Sequence, residues 1–343
     1  MDPQQTADTA DAIDASSPVA RLLATAHEVA SNAETELELS RVIETCRRAR
    51  ASQSTPAVEQ YANELIAWAM NRRGQLRAEN GRTKEAMHDF DDAIRLDPKC
   101  WRALHNRGVL LAQAGQCEKA FDDFNRTIQA NPEFAKAYAN RAALFIVAGE
   151  VMSALEDYTR AVELDPNLAT AHRGRGRVCH LMGRLEEAIG HYDAAVQLAP
   201  DDAYAVASRA DLLTDIGHYA EAASEYDRAI QIDPKSAHAI RGSAWLLATC
   251  PEDAIRNPEL ALERAETAMR LEGKADSVTI DTLAAAQASG GNFAAAAKTL
   301  QQAIATAPEI ERDVYETRLM MYEQQTPYRI APIQSVAQTG FEK

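Results

Sequence analysis

Apolar residues recur every three or four positions along most of the chain, in paired segments separated by glycine or by an Asx-Pro step. One pair is WRALHNRGVLLAQAG, whose turn passes through Gly115, followed by CEKAFDDFNRTIQA, closed by Asn131-Pro132. This spacing places the apolar side chains on one face of a helix and predicts two amphipathic helices per pair. No segment shows the two-residue alternation of a half-buried strand. Proline lacks the N–H a helix interior needs and restricts the residue before it, so each proline marks the passage to the next pair.

The pairs repeat. Pro98, Pro132, Pro166, Pro200 and Pro234 stand 34 residues apart and close the phrases AIRLDP, TIQANP, AVELDP, AVQLAP and AIQIDP. Ala86, Ala120, Ala154, Ala188 and Ala222 recur at one phase, and the aromatics Phe90, Phe124, Tyr158, Tyr192 and Tyr226 at another. A small residue precedes them as Gly74, Gly108, Ala142, Gly176 and Ala210. Small residues at fixed phase let two helices approach closely, and the aromatic fills the space between them. One hairpin cannot bury its apolar face alone, so stacked neighbours must complete the core.

The small, alanine, aromatic and proline positions in units 67–100, 101–134, 135–168, 169–202 and 203–236 resemble the tetratricopeptide repeat. Two degenerate units follow: SAHAIRGSAWLLATC, interrupted near 250–258 before PELALERAETAMRLEG, and then SVTIDTLAAAQASGGNFAAAAKTLQQAIATAP. The later text also resembles the carboxy-terminal repeats of bacterial multi-repeat proteins. The resemblance implies an all-α fold, a right-handed superhelical solenoid of antiparallel helix pairs. The expected organisation is a disordered acidic stretch at 1–17, a helical cap at 18–66, about seven repeats over 67–310, a capping helix at 311–325 and a flexible tail at 326–343, either loose or bound along the surface.

Composition narrows the function. With 36 basic against 51 acidic residues the net charge is -15, which argues against broad binding to nucleic acid or an anionic membrane. The amino terminus carries no basic residue and no apolar run behind it, so neither a signal peptide nor a membrane span is expected. Five cysteines, Cys46, Cys100, Cys117, Cys179 and Cys250, are widely spaced with no CxxC pair. They suggest neither a disulfide framework nor a zinc site, and fit a reducing cytoplasm. Phosphate-loop, zincin and serine-hydrolase motifs are missing from the sequence, so no enzyme and no cofactor is expected. Cys179 and His180 are adjacent and would point apart on a helix. The aspartates at Asp89, Asp91, Asp92, Asp122, Asp123, Asp201 and Asp202 read as a polar helix face or turn engaged in solvation and local ion pairing.

Family geometry, where it carries over, turns repeat positions 2, 5, 6, 9, 12 and 13 towards a concave groove. The resemblance thus implies peptide-binding roles for Asn71, Arg102, Asn106, Lys136, Asn140, Arg173, Arg177, Tyr204 and Arg241, with His105, His180, Asp211, Asp215, His238 and Trp245 on the same surface. Asparagine amides would hold a peptide backbone, and Arg or Lys an acidic group. Some family members clamp an acidic carboxyl terminus with a Lys/Asn, Asn, Lys/Arg set. Asn106 and Lys136 match two of those roles, while Asn71, Gln75 and Asn140 depart from the expected Lys, Asn and Arg. The expected function is therefore a non-enzymatic scaffold or adaptor for a protein or peptide, an acidic segment being one candidate ligand. The rivals are a self-associating assembly protein using the caps or convex face as a homo-oligomer, a catalytic auxiliary, and an RNA binder.

Overall fold

The computed structural model describes residues 17–52, 55–273 and 275–333. The expectation of disorder at 1–17 falls outside them except at Ser17. The described residues form two compact units, one running to Pro166 and the other beginning at Asn167. All their regular structure is helical.

In the N-terminal unit, α1 (Pro18–Asn32) and α2 (Glu36–Ser52) form a first hairpin, followed by α3 (Pro56–Glu79) and α4 (Thr83–Leu96). Two further hairpins pair α5 (Trp101–Gln113) with α6 (Cys117–Ala130), and α7 (Ala135–Val147) with α8 (Val151–Leu164). Ser17 caps α1 by accepting from the Ala20 amide, and Thr55 caps α3 through Val58; a proline opens both helices. The expected boundary between cap and repeats, at 66, lies inside α3, so the first hairpin shares its core with repeat one. Leu23, Leu39, Val42, Cys46, Tyr61 and Leu65 are buried in the same cluster as Phe90 and Leu104.

In the C-terminal unit, hairpins pair α9 (Ala169–Leu181) with α10 (Leu185–Leu198), and α11 (Ala203–Asp215) with α12 (Tyr219–Ile232). Next come α13 (Ala237–Thr249) with α14 (Pro258–Glu272), α15 (Ser277–Ser289) with α16 (Phe293–Thr306), and a last helix, α17 (Glu309–Glu323). The interruption near 250–258 is the link between α13 and α14, where the Asn257 side chain accepts from the Leu260 amide. Tyr315 and Tyr322 of α17 are buried against Leu300 and Ala303 of α16.

In three hairpins the glycine at the small position meets the aromatic as expected. A Cβ added at Gly74, Gly108 or Gly176 would stand 2.6, 2.8 or 3.0 Å from the ring of Phe90, Phe124 or Tyr192. The turn from first to second helix uses glycine for a different reason. Gly81, Gly115, Gly149, Gly183 and Gly217 all have φ between 71° and 85°, the left-handed region where a side chain is strained. Between hairpins, Asp97, Asn131 and Asp233 accept from the amides of Lys99, Glu133 and Lys235, closing an Asx turn around each proline.

A second recurring element crosses the hairpins. Arg73, Arg107 and Arg141 stand 34 residues apart, and each makes a bidentate pair with the carboxylate 16 residues later, Asp89, Asp123 or Asp157. The free arm of Arg107 reaches Asp91 of the preceding repeat at 2.8 Å, and that of Arg141 reaches Asn125 at 2.7 Å. The arrangement recurs in the C-terminal unit, where Arg209 bonds Asp193 and Glu225. Each arginine thus ties its own hairpin and the one before it. Solvation describes Asp122 and Asp201, which are exposed, but not Asp89 and Asp123, which are 3% and 2% exposed. In repeat four the acid is replaced by His191, facing Arg175. Burial, Arg175 and His172 together push its imidazole down to about 4.

Four outcomes follow from this packing. Removing one partner of a buried ion pair strands the other charge, so Asp123→Ala is expected to destabilise the fold by about 3 kcal/mol in urea titration, and Arg107→Met with Asp123→Leu to recover most of it. Overpacking makes Gly108→Val cost about 1–3 kcal/mol. The exposed α10 glycine, with nothing within 4 Å of an added Cβ, makes Gly190→Ala gain about 0.5–1 kcal/mol. For His191 the unfolded chain takes up a proton below the ordinary value of 6.5 while the folded chain resists until about 4. Stability therefore falls as pH drops through that window, and His191→Asp, which restores the carboxylate opposite Arg175, is expected to flatten that slope in thermal melts.

Candidate functional site

The first helices of successive repeats in the N-terminal unit, α3, α5 and α7, carry a continuous polar row. The Asn106 amide donates to the Asn71 side-chain oxygen at 2.8 Å. Asn106 in turn meets His105 Nδ1 at 3.4 Å, and Asn140 meets His105 Nε2 at 2.9 Å. The links from 71 to 106 and from 105 to 140 each span one repeat plus one residue, which is why neighbouring helices present them side by side. Asn71 is only 2% exposed, so it anchors Asn106 and offers little surface. Burial pushes the His105 imidazole down to about 4; the Asn106 bond opposes this and the Lys136 charge adds to it. A neutral His105 can donate from one ring nitrogen and accept at the other, which suits its place between two amides.

Arg102 lies 4.2 Å from the Trp101 ring centroid, and Trp101 packs on Phe134 at 4.5 Å. The cation is thereby held flat on a rigid aromatic base. Lys136 is exposed beside the row. Of the five residues expected here, the structure brings Asn71, Asn106 and Asn140 into one hydrogen-bonded chain, and sets Arg102 and Lys136 on α5 and α7 as separate cations. His105, the link between Asn106 and Asn140, is the residue a motif comparison undervalues; its signal was its place one residue before Asn106.

The C-terminal unit distributes its residues differently. Arg173 bonds Asp202 at 3.3 Å and lies over the Tyr204 ring at 4.7 Å. Tyr204 in turn packs on His238. Arg177 is exposed. His180 meets Asp215 at 2.8 Å, and Asp211 receives both Tyr226 Oη at 2.6 Å and His238 Nε2 at 2.7 Å. Burial opposes ionisation of Asp211, yet His238 and Tyr226 hold its carboxyl below the ordinary range. Arg241 faces Glu272 and Thr279, both at 3.4 Å. Here two of the expected binding cations, Arg173 and Arg241, are already engaged by acids of their own unit.

Beside them lies a cavity of about 440 Å³ whose wall includes Asp211, Arg241, Trp245, Asp281, Glu311 and Arg318. Arg318 bonds Asp281 and lies over Trp245 at 4.8 Å and Tyr328 at 4.6 Å. Burial pushes the Asp281 carboxyl up to about 6, against the pull of Arg318. Elsewhere the chemistry is quiet. Cys46, Cys100, Cys179 and Cys250 are buried, and burial raises their thiols, Cys46 to about 12, which suppresses the nucleophilic thiolate. Among the described residues no group of three metal-ligating side chains comes together, and no helix is long and apolar enough to cross a membrane.

Over 326–333 the tail runs along the surface, with the Ile330 amide donating to the Thr249 carbonyl at 3.0 Å and the Ile333 amide to the Asp215 carbonyl at 2.7 Å. Residues 334–343 lie outside the described residues.

The tetratricopeptide repeat family model matches residues 71–135, 140–203 and 182–237. A tetratricopeptide repeat protein from Parabacteroides merdae is 20% identical, with a TM-score of 0.51 over 78% of this chain and 98% of that one. PilF of Pseudomonas aeruginosa is 17% identical, with a TM-score of 0.52 over 62% of this chain and 95% of its own. No curated protein matches the sequence. The 34-residue hairpins, their small-to-aromatic contacts and the family match lead to one conclusion: residues 71–237 of the chain belong to the tetratricopeptide repeat family.

Proposed function

We propose that this protein is a non-enzymatic scaffold or adaptor that holds an extended segment of a partner protein against the first helices of its N-terminal repeats. The observation that carries the reading is the row Asn71–Asn106–His105–Asn140, flanked by Arg102 on its Trp101 base and by Lys136. Its internal bonds fix the orientation of the amides before any ligand arrives, which lowers the ordering cost of binding. Amides suit a peptide backbone, and two cations outside the row suit a carboxylate on the segment. An acidic segment is therefore the favoured ligand. Family membership supports the coarser statement, since repeats of this kind generally bind peptides or proteins. The buried cysteines and the acidic surface are consistent with work in a reducing cytoplasm.

A second reading has its own observation. Ile310 and Val314, one turn apart on α17, are 89% and 51% exposed, an apolar pair suited to contact with a second copy. Sedimentation at rising concentration separates this reading from the first: Ile310→Lys with Val314→Glu would abolish a dimer and leave peptide capture intact.

The test of the principal reading combines Arg102→Ala, Asn106→Ala, Lys136→Ala and Asn140→Ala in one chain. Partner capture from native extract is expected to fall by at least about tenfold, with helicity by circular dichroism retained. An unchanged set of partners in a folded variant moves recognition to another face.

A further inference from the structure

The end of α13 differs from the ends of α3, α5, α7, α9, α11 and α15, each followed by a left-handed glycine, and the tail supplies what it lacks. Where α11 ends, Gly217 takes the left-handed turn and the amides of Ile216, Gly217 and His218 bond back to Leu212, Thr214 and Leu213. α13 ends instead at Cys250 in an extended conformation. The last carbonyls of a helix need partners from outside it. Leu246 is met by the Cys250 amide and Leu247 by Asn257, while Arg256 bonds the carbonyls of Cys250 and Pro251. The two between them are met by the tail: Arg329 donates to Ala248 at 3.2 Å and the Ile330 amide to Thr249.

The second main-chain bond falls in register with the first. Thr249 and Asp215 are 34 residues apart, the same position in consecutive repeats, and their partners Ile330 and Ile333 are three residues apart. Three extended residues span about 10 Å, the separation of packed helices. The three-residue step from Ile330 to Ile333 thus matches the step from one repeat to the next. Side chains add a pattern to this spacing. Tyr328 packs on Trp245 at 5.7 Å and covers Arg318, and Ile330 packs with the apolar cluster around Tyr219 and Cys250. Pro332 lies against Gly217, where a Cβ would stand 3.1 Å from its ring. Pro327 and Pro332 hold the segment extended before it docks.

The segment is held lightly. None of residues 327–333 is fully buried, and Ile333 is 50% exposed; segments with few buried contacts open at low cost.

We propose that the C-terminal ends of α11 and α13, with Trp245 and Arg318, form a main-chain-reading site for an extended peptide patterned aromatic–Arg–aliphatic–x–x–aliphatic, and that residues 328–333 are its resident, displaceable ligand. A partner segment of the same pattern enters by exchange. The site is independent of the amide row of the N-terminal unit, so the fourfold variant described above leaves it intact and either reading can fail alone.

The test uses the full chain carrying Tyr328→Ala, Ile330→Asp and Ile333→Asp, and as probe a fluorescent peptide of residues 326–333. The probe is expected to bind this released chain at least about tenfold more tightly than the unaltered one, whose site is already filled. Methylating the two peptide amides corresponding to Ile330 and Ile333 is expected to weaken binding on the order of tenfold each, the scale of one hydrogen bond with its acceptor left unmet. No binding at about 1 mM probe, or equal binding of the methylated peptide, overturns the proposal. Hydrogen exchange on the unaltered protein gives a measurement independent of any variant. The amides of Ile330 and Ile333 should exchange about tenfold more slowly than that of Ala331, and equal rates would sink the docked segment itself.

Discussion

Three hairpins of this protein close where an aromatic ring of the second helix lies in the place a side chain of the first would otherwise take. The rings of Phe90 and Phe124 leave no room for a Cβ at Gly74 and Gly108, so the two helices meet at backbone distance. Burying one such ring contributes about 2–3 kcal/mol, but only when neighbouring hairpins close the remaining sides. The guanidinium–carboxylate pairs work on that second requirement. Arg107 and Arg141 hold an acid of their own repeat with one edge and a group of the preceding repeat with the other. Apolar contact closes the hairpin, and the charged bridge sets the angle at which hairpins stack.

Such a stack produces recognition surfaces by translation. Whatever side chain occupies one position of the first helix is offered again a helix spacing away, and residues one place out of step can bridge the gap, as Asn71, Asn106, His105 and Asn140 do. A surface of this type reads ligands whose own groups recur at a matching interval, namely extended chains. In the C-terminal unit two of the expected cations are held by acids of that unit, Arg173 by Asp202 and Arg241 by Glu272.

Much of this was legible in the sequence because the relevant signals are periodic. Prolines, glycines and rings at a 34-residue interval disclose the hairpins, their turns and their close approach. The arginine–aspartate bridges have the same period, at Arg73, Arg107 and Arg141, but charged residues on an amphipathic helix are ordinarily assigned to solvent, and burial of Asp89 and Asp123 shows only when two repeats are stacked. For the tail the sequence offered a loose or a surface-bound course and could not decide between them, because the bonds of 328–333 use main-chain amides, which every residue but proline possesses, and one acceptor, Thr249, is left open by the missing glycine turn after α13. Among the candidate residues, the role of Asn71 as an anchor depends on how deeply α3 is covered, a property of the whole cap.

The three-residue step of the tail against the 34-residue step of the repeats makes the two parts of the chain commensurate, like a fine scale laid along a coarse one. A repeat gained or lost between α11 and α13 would shift the strand by one helix spacing, and three residues of tail would have to be gained or lost with it to keep both amides on their carbonyls. The length of the carboxy-terminal segment is thus not independent of the number of hairpins it crosses, and the two would be expected to vary together in chains built on this plan.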